Sequence, residues 1–148
     1  MLSEIFKTLK PPKLHKLEHF CKQLLERYTI EALILFGSTA KGTANYRSDF
    51  DVLIVTNNMG EDWFTRHRNA FALSIGLVQP FVLTPQEFSH AIENRQTLVW
   101  EAMADGILLY DHGLGREQIQ RFQKLLQNGQ IERLHKGWRI LSIDENVI

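Results

Sequence analysis

Two short apolar segments joined by a polar loop constrain the fold of this 148-residue chain more than any other feature. Residues 30–36 (IEALILF) and 49–56 (DFDVLIVT) have the length and composition of buried strands. Gly37-Ser38 ends the first segment, and residues 37–48 are small or polar. The sequence therefore predicts two strands connected by a loop of small and polar residues.

Helical patterns surround these two strands. Apolar residues recur at helical spacing between Lys13 and Tyr28, which predicts an amphipathic helix. Glu61-Asp62 opens a second helix that runs to about Ser74, with acidic residues in its first turn, where the helix dipole favours them. The remaining pattern predicts strands at 78–83 and 107–110 and helices from Thr84, at 98–104 and at 116–127. This order indicates an α+β fold, a small mixed β-sheet flanked by helices.

The length of the chain predicts one domain spanning residues 1–148. Residues 1–12 form an N-terminal extension that ends at Pro11-Pro12, where a helix is broken. Residues 130–148 carry weak signals and are predicted to be a C-terminal tail.

Composition excludes several classes of function. Lys plus Arg and Asp plus Glu each number 17, so the formal net charge is zero, and strong non-specific nucleic-acid binding is not expected. A local phosphate site or a specific RNA contact stays open. The single cysteine, Cys21, cannot form an intramolecular disulfide, and no run approaches the roughly 18 apolar residues of a membrane span. We expect a cytoplasmic protein that does not act in a membrane.

Asp49 and Asp51 are the first candidates for chemistry. Residues two apart on a strand share a face, so the two carboxylates lie side by side and repel each other. A divalent cation relieves this repulsion, and Mg²⁺ prefers one or two carboxylates together with waters and substrate phosphates. The alternative is a pair of solvated acids at the end of a strand.

The loop before these carboxylates suits a phosphate group. Glycines at 37 and 42 allow a close approach to the backbone, and Ser38 offers a hydroxyl and exposed amides. Lys41 adds a positive charge, or is a solvated surface residue. The loop is not a Walker A motif, because Gly42 is followed by Thr43 and the lysine precedes the glycine.

Gly37-Ser38, ten intervening residues and Asp49-Phe50-Asp51 match the GS-x10-D-x-D signature of the DNA polymerase β-like nucleotidyltransferase superfamily. The finer pattern, residues 37–42 (GSTAKG) with Ser48 before Asp49, resembles the minimal nucleotidyltransferases. The similarity is strong over about twenty residues, and the element order extends it loosely to residue 112.

The resemblance implies a role for each matching residue. Gly37 and Ser38 would hold the terminal phosphates of a nucleoside triphosphate, with Lys41 and Ser48 as further nucleotide-binding residues. Asp49 and Asp51 would be the catalytic residues and would ligate two divalent metals, Mg²⁺ or Mn²⁺. One metal would activate the acceptor hydroxyl, and the other would neutralise the triphosphate.

The resemblance also implies a reaction and a partner. The reaction would transfer NMP, with AMP from ATP as the leading case, to a hydroxyl acceptor. Similar proteins often pair with a separate HEPN-domain protein, and some transfer AMP to a tyrosine of that partner as antitoxins. Self-association as a homodimer is also compatible with so small a domain.

One position departs from the family pattern. Active members commonly carry a third carboxylate on a following strand, and the equivalent stretch here, residues 77–83, has Gln79 at that place. An amide cannot act as a base or neutralise charge. Glu87 and Asp62 are acidic residues nearby in sequence, but both fall on predicted helices. Two hypotheses therefore stand: an active transferase, and a catalytically weak or inactive nucleotide-binding or antitoxin-like subunit.

Three other features have simpler interpretations. Residues 15–19 spell the H-x-x-E-H string of some zinc proteases, but we interpret them as solvated residues of the first helix. Residues 66–68 (RHR) are either an RNA or nucleotide contact or the polar face of a helix, and we favour the polar face. Trp63 and Trp100 are predicted to lie in the core or at an interface.

Overall fold

The computed structural model describes residues 2–9, 13–43, 49–74 and 76–143. Pro11 and Pro12, which the sequence marks as a helix break, lie outside these ranges. The helices are α1 (Leu2–Thr8), α2 (Leu14–Arg27), α3 (Ser38–Lys41), α4 (Trp63–Leu73), α5 (Pro85–Ser89), α6 (Thr97–Asp105) and α7 (Leu114–Gln127). The strands are β1 (Ile30–Phe36), β2 (Phe50–Thr56), β3 (Val78–Leu83), β4 (Ile107–Asp111), β5 (Ile131–Arg133) and β6 (Trp138–Ile140).

A four-stranded sheet forms the centre of the fold. Its strands lie in the order β3-β2-β1-β4. β1 is antiparallel to both β2 and β4, whereas β2 and β3 are parallel. The parallel pair requires a crossover connection, and α4 provides it. The predicted α+β fold with a mixed sheet is confirmed.

Both faces of the sheet are covered, which explains why β1 and β2 are apolar over most of their length. One face packs against α2 and α4 around residues such as Phe20, Leu24 and Val52. The opposite face packs against α5, α6 and α7 around Trp100 and Phe122. Alternation along each strand therefore sends side chains into two separate cores.

Both terminal regions contribute to these cores. α1 inserts Phe6, which is only 6% exposed, into the first core. β5 and β6 form an antiparallel hairpin whose Ile131 is buried and whose Trp138 packs against the second core. The segment predicted to be a C-terminal tail therefore contains, within its described residues, a hairpin that packs against the second core.

The interpretation of residues 66–68 as the polar face of a helix is wrong for two of the three. Arg66 and His67 are 4% and 7% exposed, and Arg68 alone is exposed. His67 accepts a hydrogen bond through Nε2 from the Val82 backbone N–H at 3.0 Å, and its Nδ1 lies 2.9 Å from the Trp63 carbonyl. β3 is an edge strand, so its outward N–H needs such a partner. His67 is therefore buried because it satisfies the sheet edge, whereas Arg66 is buried against Glu87 of α5, its ion-pair partner.

The two tryptophans have different environments. Trp100 is fully buried, as predicted, and its Nε1–H donates to the Ala91 carbonyl. Trp63 is 61% exposed and stacks on His67 with ring centroids 4.1 Å apart, so it does not lie in the core, and an interface position stays a prediction. Among the described residues, none of the helices has the length and apolar character needed to cross a membrane.

Candidate active site

Asp51 lies in a row of residues that runs across three strands. Phe36 on β1, Asp51 on β2 and Gln79 on β3 are neighbours in the sheet register. Neighbouring strands are about 4.8 Å apart, so Asp51 and Gln79 present adjacent side chains on one face. Leu53 and Phe81 form the next pair along that same face. The start of β2 therefore holds a carboxylate beside an amide, at the rim of the second core.

The turn after β1 touches this carboxylate directly. Gly37 has φ of 74° and ψ of −152°, a conformation that is essentially restricted to glycine. A Cβ added to Gly37 would lie 2.3 Å from Asp51 Oδ2. Glycine is therefore required twice, by its backbone conformation and by the carboxylate packed against it. The Gly-Ser turn and the Asp51 carboxylate are therefore in direct contact.

α3 begins at this turn. The first amides of a helix have no carbonyl partner within it, so residues 38–40 present N–H donors beside Asp51. The Thr43 N–H donates to the Ser38 carbonyl at 2.9 Å, and Gly42, at φ of 77°, ends the turn. The loop thus forms a compact backbone cradle that is rich in donors.

Asp49 and Asp51 influence each other's charge. Asp51 is half-buried and Asp49 is exposed just before β2. Burial first, and the negative charge of Asp49 second, raise the pKa of Asp51 above its ordinary value. The repulsion expected for this pair is therefore present, and a cation placed between the two carboxylates would relieve it.

A family comparison identifies this arrangement. The profile of the family described as "Polymerase beta, Nucleotidyltransferase" matches residues 19–113, more than half of the chain. The chain belongs to this nucleotidyltransferase family. The matched region contains the Gly-Ser turn, both aspartates and Gln79. The family assignment made from the GS-x10-D-x-D spacing is confirmed.

Solved structures agree on the fold. A candidate nucleotidyltransferase from Sulfolobus solfataricus shares 21% identity over 75% of this chain and 87% of its own, with a TM-score of 0.51. A mutant form of the toxin-antitoxin MntA-HpeT shares 18% identity over 74% of this chain and 85% of its own, with a TM-score of 0.50. Among curated proteins, none matches the chain. At these identities, the similarity establishes a nucleotidyltransferase fold.

The donor set of the nucleotidyltransferase site fits a hard divalent cation. Asp49 and Asp51 supply oxygen ligands, and Mg²⁺ accepts one or two carboxylates while keeping waters and substrate phosphates. Within the described ranges, no group of three or more His, Cys, Asp or Glu side chains converges on a common point. The two aspartates would therefore hold one Mg²⁺ well, and a second ion would depend on the substrate for most of its ligands.

Gln79 occupies the position that the sequence singled out. The register pairs Gln79 with Asp51, so its amide lies beside that carboxylate, and its equivalence to the third carboxylate of active relatives stays a prediction. The two alternative acids are used elsewhere. Asp62 caps α4 by accepting the Thr65 N–H at 2.8 Å, and Glu87 accepts Arg66 Nη2 at 2.9 Å.

Of the two further nucleotide-binding candidates, the structure describes Lys41 but not Ser48. Lys41 is exposed, and its Nζ lies 3.7 Å from Asp105 Oδ2, which also accepts Arg133 Nη1 at 2.6 Å. Exposed ion pairs of this kind contribute about 0–1 kcal/mol, so the pair does not prevent Lys41 from turning to a phosphate. Ser48 lies outside the described residues. The nucleotide-binding roles of both residues stay predictions.

Sequence reasoning missed two contacts near the site. Asp105 lies 3.7 Å from Lys41, and the Phe36 ring packs against Phe81 with centroids 5.5 Å apart. Asp105 falls in the DGILLY segment that extends the family similarity, but nothing in that segment indicates a partner 64 positions earlier in the chain. Phe36 ends a predicted buried strand, so its position was predicted but not its contact.

The collision at Gly37 can be tested with two matched alanine variants. Gly37 and Gly42 have nearly equal φ values, 74° and 77°, but a Cβ at Gly42 meets nothing within 4 Å. Gly42→Ala should lose about 1–2 kcal/mol, the cost of a side chain in the left-handed helical region. Gly37→Ala should lose more, because its ψ of −152° lies in a region restricted to glycine and because its Cβ also displaces the Asp51 carboxylate. Urea unfolding of the two variants measures the difference, and equal losses would show that Asp51 does not press on this turn.

The raised pKa of Asp51 predicts a pH-dependent cost to stability. The folded state holds this proton more tightly than the unfolded state, whose pKa is near 3.8. Stability therefore falls as the pH rises from about 3.8 through the folded pKa, and the cost persists at neutral pH. Without metal, Asp51→Asn should be more stable than wild type at pH 7, and this gain should close below about pH 3.8.

Asp62 provides the control of opposite sign for this experiment. Its pKa is lowered, chiefly by the Thr65 backbone N–H, so its charge stabilises the fold above the unfolded pKa. Asp62→Asn should lose stability at pH 7, and the loss should vanish as the pH falls through the folded pKa. A gain for Asp51→Asn that grew on acidification would contradict the assignment.

Proposed function

We propose that this chain is a Mg²⁺-dependent nucleotidyltransferase that transfers AMP from ATP to a hydroxyl group. The acceptor we propose is a tyrosine of a HEPN-domain partner in a toxin-antitoxin pair in the cytoplasm. The observation that carries the transferase proposal is the contact between the Gly37 backbone and the Asp51 carboxylate. This contact supports the proposal because it sets the turn that leads into the first amides of α3 against a carboxylate that would hold the metal.

The chain's own residues have distinct tasks in this reaction. Amides of residues 38–40 and the Ser38 hydroxyl donate to the terminal phosphate oxygens and orient the triphosphate. Asp49 and Asp51 would hold Mg²⁺, which when bound would neutralise charge on the phosphates and on the leaving pyrophosphate. The acceptor oxygen then bonds to the α-phosphorus while the bond from that phosphorus to the bridging oxygen breaks. Pyrophosphate leaves, and the hydroxyl proton passes to a base.

Gln79 limits the transfer of the hydroxyl proton. Its amide lies beside Asp51 but cannot take the acceptor's proton. The proton must leave to solvent or to a substrate phosphate, which is slower than transfer to a positioned base. This observation favours a second candidate function, a nucleotide-binding antitoxin-like subunit with little catalysis.

The partner rests on two weaker supports. The GS-x10-D-x-D sequence resembles minimal nucleotidyltransferases, which are often paired with HEPN proteins. The fold is also similar to that of a chain in the crystal structure of a mutant of the toxin-antitoxin MntA-HpeT. The nucleotide chemistry is therefore tested first, without a partner.

ATP binding is the first test of the proposed site. Calorimetry of the full chain should detect ATP binding in Mg²⁺ that is lost in EDTA and in the double variant Asp49→Asn/Asp51→Asn, because the carboxylates hold the ion that bridges to the phosphates. Asp62→Asn removes one carboxylate charge away from the site and should bind ATP as wild type does. Mg²⁺-dependent binding that survives in the double variant would place the nucleotide elsewhere.

Replacing the amide by an acid tests the effect of Gln79 on catalysis. Gln79→Asp restores a group that can take a proton and bind a second metal, so AMP transfer to a HEPN partner should rise by about tenfold or more. The measurement is incorporation of label from α-labelled ATP, with pyrophosphate release in parallel. Gln86→Asp makes the same charge change at an exposed position of α5 and should have no effect.

The outcomes separate the two candidate functions. Measurable transfer by wild type that rises in Gln79→Asp supports the transferase. ATP binding without transfer in either protein supports the binding subunit. Equal, rapid transfer by both would show that the amide does not limit the reaction.

A further inference from the structure

A cavity lies on the sheet face that carries Asp51, at the outer edge of β3. It has a volume of about 470 Å³ and is enclosed by β3, α4, α5 and the segment that leads into α6. Sites for small molecules typically measure about 300–1,000 Å³. We infer that this cavity, here called the β3-edge cleft, binds a small anionic molecule with an aromatic or apolar body.

The walls of the β3-edge cleft are apolar and include one aromatic face. Leu53 and Phe81 of the sheet form part of the lining, and Leu98 of α6, which is 44% exposed, forms another part. Trp63 contributes an indole that is 61% exposed although its ring is stacked on His67. Two hydrogen bonds fix the His67 ring, so the indole that stacks on this ring is held in place. A flat apolar ligand would therefore meet a surface that is already ordered.

The charge of the cleft is positive. Two charged residues line it, Glu87 and Arg95. Glu87 is neutralised by Arg66, whose side chain is 5% exposed and lies 2.9 Å away. The Arg95 side chain makes no hydrogen bond or ion pair with any residue that the structure describes. A guanidinium beside an aromatic and aliphatic wall favours a carboxylate, sulfonate or phosphate attached to an apolar group.

The backbone at Arg95 supports a functional reason for this arginine. Its φ is 55°, in the left-handed region. The Arg95 N–H donates to the Ile92 carbonyl at 3.2 Å and the Gln96 N–H to the Ala91 carbonyl at 3.0 Å, the hydrogen-bond pattern of a Schellman motif. Glycine is the usual residue at this position, because side chains strain it. The chain thus carries a long cationic side chain at a place where glycine would make the fold more stable.

The β3-edge cleft is separate from the carboxylates but close to them. Asp51 and Gln79 do not line it, whereas Leu53 and Phe81, two residues further along the same strands, do. That step is about 6–7 Å along a strand. The anionic aromatic ligand is therefore either an independent compound or a nucleotide, whose phosphate supplies the charge and whose base supplies the aromatic body, and the experiment distinguishes the two sources.

The test uses 8-anilinonaphthalene-1-sulfonate, an aromatic anion, in fluorescence titrations of the full chain. Arg95→Gly should weaken binding of this probe by about tenfold, because a charge-assisted hydrogen bond is lost. The same variant should unfold at a higher temperature, since glycine relieves the left-handed strain. Lost binding together with gained stability cannot arise from damage to the fold. The uncharged analogue N-phenyl-1-naphthylamine should bind wild type and Arg95→Gly equally.

Matched variants control for surface effects. Trp63→Ala should weaken probe binding. Phe64→Ala, which removes an aromatic ring that is 67% exposed on the same helix but outside the cleft, should not. Arg116→Ala, at an exposed position of α7, is the control for the lost charge. If Arg95→Gly binds the sulfonate as wild type does, or if the controls lose as much as the cleft variants, the inference is wrong.

ATP then identifies the source of the ligand. If ATP in EDTA displaces the sulfonate from wild type, the nucleotide itself supplies the anionic aromatic group, and the cleft is retained as its site. If ATP does not displace the probe while the Arg95 and Trp63 effects hold, the cleft serves a separate ligand. Both results support the inferred site.

Discussion

The pairing of β1 with β2 is the constraint on which the rest of the structure depends. Its register places Phe36 opposite Asp51, and the chain leaves β1 through Gly37, directly against that carboxylate. A slip of one residue would turn Asp51 into the first core and exchange the apolar side chains between the two cores. Both cores oppose such a slip, because β1 and β2 are buried on both faces. Hydrophobic packing far from the site thus fixes the contact on which the site depends.

Two positions with positive φ show opposite uses of backbone strain. At Gly37 the close approach of Asp51 excludes any side chain, so glycine serves both the conformation and the contact. At Arg95 φ is also positive, at 55°, but the residue is an arginine, although a glycine would fit the turn better. The first position follows from packing alone. The second is explained by what the side chain offers to the β3-edge cleft.

Local patterns predicted the elements that periodicity specifies. The strands at 30–36 and 78–83 and the start of α5 at the Thr84 capping box were predicted because apolar runs and caps are local features. The Gly-Ser and Asp-x-Asp spacing likewise indicated the family. The burial of Arg66 and His67 could not be predicted, because their partners, Glu87 and the Val82 N–H, lie 21 and 15 residues away. Two other features could not be predicted for the same reason. The ion pair of Lys41 with Asp105 and the β3-edge cleft both form between segments that are distant in the sequence.

The amide at Gln79 changes the electrostatics of the site as well as its chemistry. Asp51 already carries a raised pKa from burial and from Asp49, and a third carboxylate in the adjacent register position would raise that pKa further. The amide avoids this repulsion, so the site without metal is less strained. Two carboxylates balance the charge of one divalent ion, and among the described residues no third acidic side chain joins them. Under the proposed function, such a site would suit a single Mg²⁺-nucleotide, and the amide at position 79 would leave the acceptor's proton without a base at that position.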